Sequence, residues 1–265
     1  LVADEERRAA DGGPGATPKI AVIDVWKAFG GHEVLRGIDL EVMPGESLVI
    51  VGGSGAGKSV LLKHLIGLIS PDRGHVVVDG EDLTNSPPEL CLAIRRKFGM
   101  SFQEGALFDS LSVFENIAFP LRRHTRMREA EIAARVGECL RLVHLDEIGG
   151  KAVSELSGGM RRRVGFARAI SLQPEILLFD EPNTGLDPMT SAVINRVIRE
   201  MRETLDVTMV TITHDMRSAF EIADRIAMLR GGEIVAAAGP EEFRRLPDPY
   251  VQKFLAGEPW EEEVA

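Results

Sequence analysis

Gly52-Gly53-Ser54-Gly55-Ala56-Gly57-Lys58-Ser59 follows an apolar run, Ser47 to Val51, and opens a mostly apolar stretch that ends near Leu68. A buried strand that runs through a glycine loop into a buried helix is the arrangement of a phosphate-binding P-loop. The glycines admit backbone angles and close approaches that side chains would block. Consecutive N–H groups then form a nest, and the following helix aims its positive end at the phosphates. Lys58 supplies a cation for the β and γ oxygens of ATP, and the Ser59 hydroxyl suits Mg²⁺. This stretch therefore predicts an α/β protein with a nucleotide at the carboxyl ends of its strands.

A second apolar run, Ile176-Leu177-Leu178-Phe179, ends in Asp180-Glu181. Four apolar residues in a row read as a parallel strand buried on both faces. Asp180 then sits where open α/β sheets place ligands, as a Mg²⁺ holder acting through water. Glu181 is placed to orient or deprotonate an attacking water, since phosphoryl transfer needs positioning and charge stabilisation above all. Between the two halves lies Leu156-Ser157-Gly158-Gly159-Met160. Ser157 is a good N-cap, and Gly158 and Gly159 leave the N–H groups of a first helical turn open.

The remaining chain fits around these motifs. Ile20 to Val25, Ile38 to Val42, His75 to Asp79 and Val207 to Ile212 read as strands, and Arg225 to Leu229 with Glu233 to Ala237 as a hairpin about Gly231-Gly232. Short strands flanking the first unit predict a small antiparallel sheet beside a parallel core. From Gln103 to about Glu155 the chain turns helical, with Ile132, Val136, Leu140 and Val143 on one face of a helix from Glu129 to Val143. Met189 to Leu205 reads as another helix. Phe102, Leu107, Phe108, Leu111 and Phe114 crowd one short span, so several must pack inside while others line a groove. Arg161-Arg162-Arg163 lacks the aromatic or basic company of a nucleic-acid patch and reads as a solvated or interface-facing helix surface.

Composition sets the outer limits. A chain of 265 residues buries a sizeable core, and its net charge of 31 − 41 = −10 argues against nucleic acid as a partner. Cys91 and Cys139 show no CxxC spacing and read as reduced thiols. No stretch approaches the ~20 apolar residues of a transmembrane helix. Residues 1–17 read as a flexible tail, and residues 241–265 as a C-terminal extension with a solvated acidic end. The expectation is a soluble protein whose membrane role comes through a partner.

Taken together, the P-loop, the serine-glycine run and the carboxylate-ended strand resemble the ATPase subunit of an ABC transporter over roughly residues 18–240. The resemblance implies a RecA-like core with an N-terminal antiparallel β subdomain and a helical subdomain inserted at about 103–156. It implies that Gln103, 45 residues after Lys58, is a Q-loop glutamine contacting Mg²⁺ or water. His214, 33 residues after Glu181, is then the switch histidine on the γ-phosphate. Asp187, in Asn183-Thr184-Gly185-Leu186-Asp187, is placed at a dimer seam, and Phe29 stacks on adenine. The family solution for Ser157, Gly158 and Gly159 is a head-to-tail dimer in which they meet the ATP of a second copy. Met160 stands where the family more often has Gln, which touches only a peripheral contact.

Ser59 to Leu68, Val113 to Leu121, the Met-ended signature and Asp215 to Phe220 are similar to the ATPases of Mla-type phospholipid transporters. That likeness implies membrane permeases, an MCE-type lipid-binding protein on the far side of the membrane and, in some systems, a small STAS-domain protein as partners, with this chain held by the permease at the cytoplasmic face of a bacterial inner membrane. Two other readings stand beside it: an importer of amino acids or another small solute, and a soluble ABC ATPase outside transport.

Overall fold

The computed structural model describes residues 17–103 and 105–259. The tail expected at the amino end and the acidic carboxyl end fall almost wholly outside these residues. Its centre is a six-stranded sheet in the order β10-β9-β3-β8-β7-β6. The strands are β3 (Ser47–Val51), β6 (Phe98–Ser101), β7 (Ile176–Asp180), β8 (Thr208–Thr213), β9 (Arg225–Arg230) and β10 (Glu233–Ala238). All neighbours are parallel except β10, which returns antiparallel along β9.

Every residue of β3 and β8 is buried, as strands covered on both faces require. The period of two then sorts side chains between two cores. Val49, Val51, Leu177, Phe179 and Met209 face one cluster, while Leu48, Ile50, Ile176, Leu178, Val210 and Ile212 face the other.

On the second face lie helix α1 (Lys58–Leu65), helix α2 (Pro88–Arg95) and a smaller antiparallel sheet. That sheet has the order β2-β1-β4-β5, from β1 (Ile20–Phe29), β2 (His32–Val42), β4 (Arg73–Val78) and β5 (Glu81–Asp82). The first two strands run longer than their alternation predicts. Register shifts between Val22 and Lys27 break the pattern, and Asp24 takes φ +44°. Gly30 and Gly31, at φ +57° and +85°, close the hairpin with the two positive angles such a turn demands.

The other face carries α3 (Val113–His124), α4 (Glu129–Leu142), α5 (Gly158–Ala169) and α6 (Pro188–Leu205). Ser112 caps α3 by accepting from Glu115 N at 3.2 Å, and Glu131 reaches back to Arg128 N at 2.7 Å to start α4. Ile132, Val136, Leu140 and Val143 are all buried, so the face read from the sequence is the packed one. Strand β6 was invisible to alternation because Gly99 interrupts it. A Cβ there would stand 2.3 Å from the Ala169 carbonyl, so only glycine lets α5 pack this close.

After β10 the chain continues through α8 (Pro240–Phe243) and α9 (Pro249–Ala256), the short α7 (Met216–Ile222) having followed β8. Phe243, Tyr250 and Val251 are buried in the same core as the helical face, and Arg230 lies over the Tyr250 ring at 4.3 Å. Among the described residues no helix is long and apolar enough to cross a membrane.

Candidate functional site

Parallel pairing decides what meets what. Val51 pairs with Thr213, and Asp180 with Ile212, so the carboxyl ends of β3, β7 and β8 share one sheet edge. The glycine loop, Asp180-Glu181 and His214 each leave their strand there, although they are spread over 163 residues from Gly52 to His214 counted inclusively.

The loop itself is fitted to backbone on two sides. A Cβ on Gly52 would lie 2.2 Å from the Leu229 carbonyl, and one on Gly57 would lie 2.9 Å from that of Val34. Gly57 also holds φ +102° at the start of α1, where no side chain caps the helix. The free N–H groups of that first turn therefore remain available to an anion. Lys58 is buried, and its Nζ donates to the carbonyls of Gly52 at 2.8 Å and Gly53 at 2.9 Å. Burial pushes the Lys58 ammonium below its ordinary pKa, against the opposing pull of Glu181 and Asp180.

Nζ of Lys58 stands 3.8 Å from Glu181 Oε1, and the Ser59 hydroxyl stands 3.5 Å from Asp180 Oδ1. Burial raises the Asp180 carboxyl above its usual range, helped by the neighbouring Glu181 charge and opposed by Ser59, Lys63 and Lys58. A hydroxyl and a carboxylate side by side at the loop are hard oxygen donors of the kind Mg²⁺ takes alongside substrate phosphates. The donor set fits that ion, and bound there it would neutralise charge on the phosphates.

Glu181 is held from several directions. Its N–H donates to the Ile212 carbonyl at 2.9 Å, and its backbone takes φ +48°. Oε2 accepts from the Thr184 hydroxyl at 3.0 Å and lies 2.9 Å from His214 Nδ1. The His214 ring is otherwise open, with its side chain 57% exposed. Thus Lys58, Ser59, Asp180, Glu181 and His214 form one cluster.

Other residues singled out in the sequence stand differently. Gln103 is exposed on the loop after β6, with its carbonyl accepting from Arg162 Nε at 2.8 Å. Phe29 ends β1 half exposed, with Lys27 Nζ 5.4 Å from its ring centroid. Ser157 caps α5 as expected, accepting from Met160 N at 3.3 Å. The turn it begins touches Leu186 and Thr190: a Cβ on Gly158 would meet Leu186 at 3.5 Å, and one on Gly159 would meet the Thr190 methyl at 2.5 Å. Among the described residues no hydrogen bond joins residues 157–159 to the glycine loop. Asp187 has a local task, capping α6 through Met189 N and Thr190 N at 3.0 Å each.

Two sequence readings need correction. Arg162 and Arg163 are not a solvated surface. Arg162 is buried and donates to the carbonyls of Gln103, Pro182 and Thr184, and Arg163 donates to those of Val143 and His144. Only Arg161 is exposed. Leu107, expected among groove-lining candidates, packs with Phe114 against the core, whereas Phe102 and Phe108 remain open. Sequence reasoning also missed a buried polar knot in which Asn183 donates to Asn195 and Ser218, while Ser218 donates to Asp215. Asn195 belongs to no motif, and Ser218 lies in the Asp215 to Phe220 stretch, whose family likeness says nothing of its partners, so no local signal marked the knot.

Residues 35–184 match the family model described as ABC transporter. The chain is 40% identical over 252 residues, 94% of itself and 73% of the relative, to the probable ribonucleotide transport ATP-binding protein mkl of Mycobacterium leprae. It is 38% identical over 234 residues, 88% of itself and 87% of the relative, to the intermembrane phospholipid transport system ATP-binding protein MlaF of Escherichia coli. MJ0796, a bacterial ABC transporter cassette solved as a dimer, superposes with a TM-score of 0.77 at 32% identity, covering 83% of this chain and 98% of that one. The same protein has also been solved in a post-hydrolysis state bound to ADP and Pi. With the phosphate loop, the hard-oxygen pair and Glu181 gathered on one sheet edge of this α/β fold, the chain belongs to the ABC transporter family as an ATP-binding, ATP-hydrolysing component.

Proposed function

We propose that this ATPase powers phospholipid transport through a membrane permease, working as a head-to-tail pair of identical copies. The observation that carries the pairing is the separation of two helix starts. The glycine loop has its cation, hydroxyl and carboxylates beside it, whereas Ser157 only caps its own helix and Gly158 and Gly159 face Leu186 and Thr190. In this reading Gly52, Gly53, Ser54, Gly55, Ala56 and Gly57 wrap the phosphates, Lys58 meets their β and γ oxygens, and Phe29 stacks on the adenine. Ser59 and Asp180 would hold Mg²⁺, with Gln103 as the further contact that the family resemblance assigns. Glu181 takes the proton of the attacking water, and His214 orients the γ-phosphate and Glu181 together. Residues 157–159 and Asp187 complete the site of the second copy.

The lipid assignment is supported by likeness to the phospholipid-system relative along nearly the whole of its length. Partners of that kind are two permeases that hold this chain at the cytoplasmic face of a bacterial inner membrane, an MCE-type protein on the far side and a small STAS-domain protein. Phe102, Phe108 and Phe119 are exposed on the helical face, and the last two rings lie 5.1 Å apart. This aromatic ledge suits the apolar side of a permease's cytoplasmic helix.

The test is affinity purification from detergent-solubilised membranes, followed by reconstitution of the recovered complex in vesicles with labelled phospholipid. Mg-ATP-driven loss of label from the vesicles, absent with Phe108→Glu while that variant still binds ATP, is the expected result. ATPase stimulation by a small solute and not by phospholipid would move the assignment to small-solute transport, a reading favoured by likeness to the relative named for ribonucleotide transport.

A further inference from the structure

We propose that Arg162 is a positioning residue for Glu181, tying the turn that carries this carboxylate to the helix that begins at Ser157. Arg162 keeps only 8% of its surface exposed, and its guanidinium reaches three segments remote in sequence. Nη1 donates to the Pro182 carbonyl at 2.9 Å, Nη2 donates to the Thr184 carbonyl, and Nε donates to the Gln103 carbonyl at 2.8 Å.

Pro182 and Thr184 bracket the short arc that follows Glu181. That arc begins with Glu181 at φ +48°, a left-handed angle a glutamate holds only when its surroundings fix it. The Thr184 hydroxyl then donates to Glu181 Oε2 at 3.0 Å, so the segment gripped by Arg162 is the one that aims the carboxylate. A planar, always-charged fork suits this task, because its donors span several carbonyls at fixed angles, whereas a lysine offers one point charge. The third contact, on Gln103, brings the loop after β6 into the same grip. These three contacts lie on the arc after Glu181 and on the loop after β6, and through them Arg162 governs the placement of Glu181.

The proposal rests on Glu181 as the base, and the test separates the two claims. ATP hydrolysis by the full chain, in whatever assembly it adopts, is measured for Glu181→Gln, Arg162→Lys, Arg162→Gln, Thr184→Val and Arg162→Gln/Thr184→Val. For Arg162→Gln, kcat is expected to fall at least tenfold while KM for ATP stays within twofold, with Arg162→Lys in between. Because Arg162 acts through Thr184, the double variant should be no slower than the slower single one; independent sites would multiply their losses. Multiplied losses, an unchanged kcat, or a KM that rises in step with the fall in kcat would overturn the proposal. If Arg162→Gln does not fold, the cycle is run with Arg162→Lys. Loss of Mg-ATP binding there as well would make Arg162 a structural cation and sink the idea. A Glu181→Gln variant that still turns over would instead remove the base assignment and leave the Arg162 measurements to stand on their own.

Discussion

The two glycine-rich motifs each open a helix, α1 and α5, and the surroundings of these two helix starts differ. Gly57 opens α1 with no side-chain cap, and Lys58 folds back on its own loop beside two carboxylates. Ser157 opens α5 as an ordinary cap, with no acidic residue in the first turn. Both present free N–H groups and the positive end of a helix. Only the first is accompanied by the cation, hydroxyl and carboxylates that phosphoryl transfer needs. The same backbone device thus serves a whole site in one place and a fragment of a site in the other.

The largest effect expected from this difference is at Glu181. Glu181→Gln should lower hydrolysis by ~10²–10⁴-fold, the usual worth of a general base, while equilibrium binding of Mg-ATP is retained. Light scattering should then show an ATP-dependent dimer, and a monomer at saturating Mg-ATP with permease present would break the comparison.

Next comes complementation. Lys58→Ala spoils the site around α1, and Ser157→Arg spoils what α5 offers a second copy. Each variant alone should be inactive, yet a mixture should regain hydrolysis because a mixed dimer keeps one intact site. No regain at any ratio, with mixed dimers shown to form, would make each site self-contained.

A smaller effect sharpens the contrast in packing. Gly52→Ala pushes a methyl against the Leu229 carbonyl, whereas Gly159→Ala pushes one against the Thr190 side-chain methyl. Each should lower stability by about 1–3 kcal/mol, the range for overpacking. Thr190→Ser should restore the melting temperature of Gly159→Ala, since it removes the offending methyl, while no side-chain change should restore Gly52→Ala. The smallest effect is at Cys139, where burial lifts the thiol to about 11. In the folded protein at pH 8 it should resist alkylation, read by mass spectrometry, and react only after denaturation.

What the sequence made legible was whatever is written locally. The glycine loop, the Ser157 cap and the strand ending in Asp180-Glu181 are each written within a few residues, and each takes the local backbone form its sequence predicts. The long strands β1 and β2 were only half legible, because bulges near Asp24 destroy alternation. Strand β6 was hidden by Gly99, whose purpose is visible only with Ala169 packed over it. Arg162 was misread because a run of three arginines looks solvated. Its partners, at 103, 182 and 184, are brought to it by sheet order and not by spacing. The knot of Asn183, Asn195 and Ser218 was illegible for the same reason.

The left-handed backbone at Glu181 has a consequence for how this chain drifts under selection. Such a conformation costs roughly 1–3 kcal/mol in most residues, and glycine or asparagine accepts it with far less strain. A library screened for heat resistance alone should therefore abandon glutamate at 181, and one screened for turnover should bring it back. Position 181 is where durability and work pull the sequence in opposite directions.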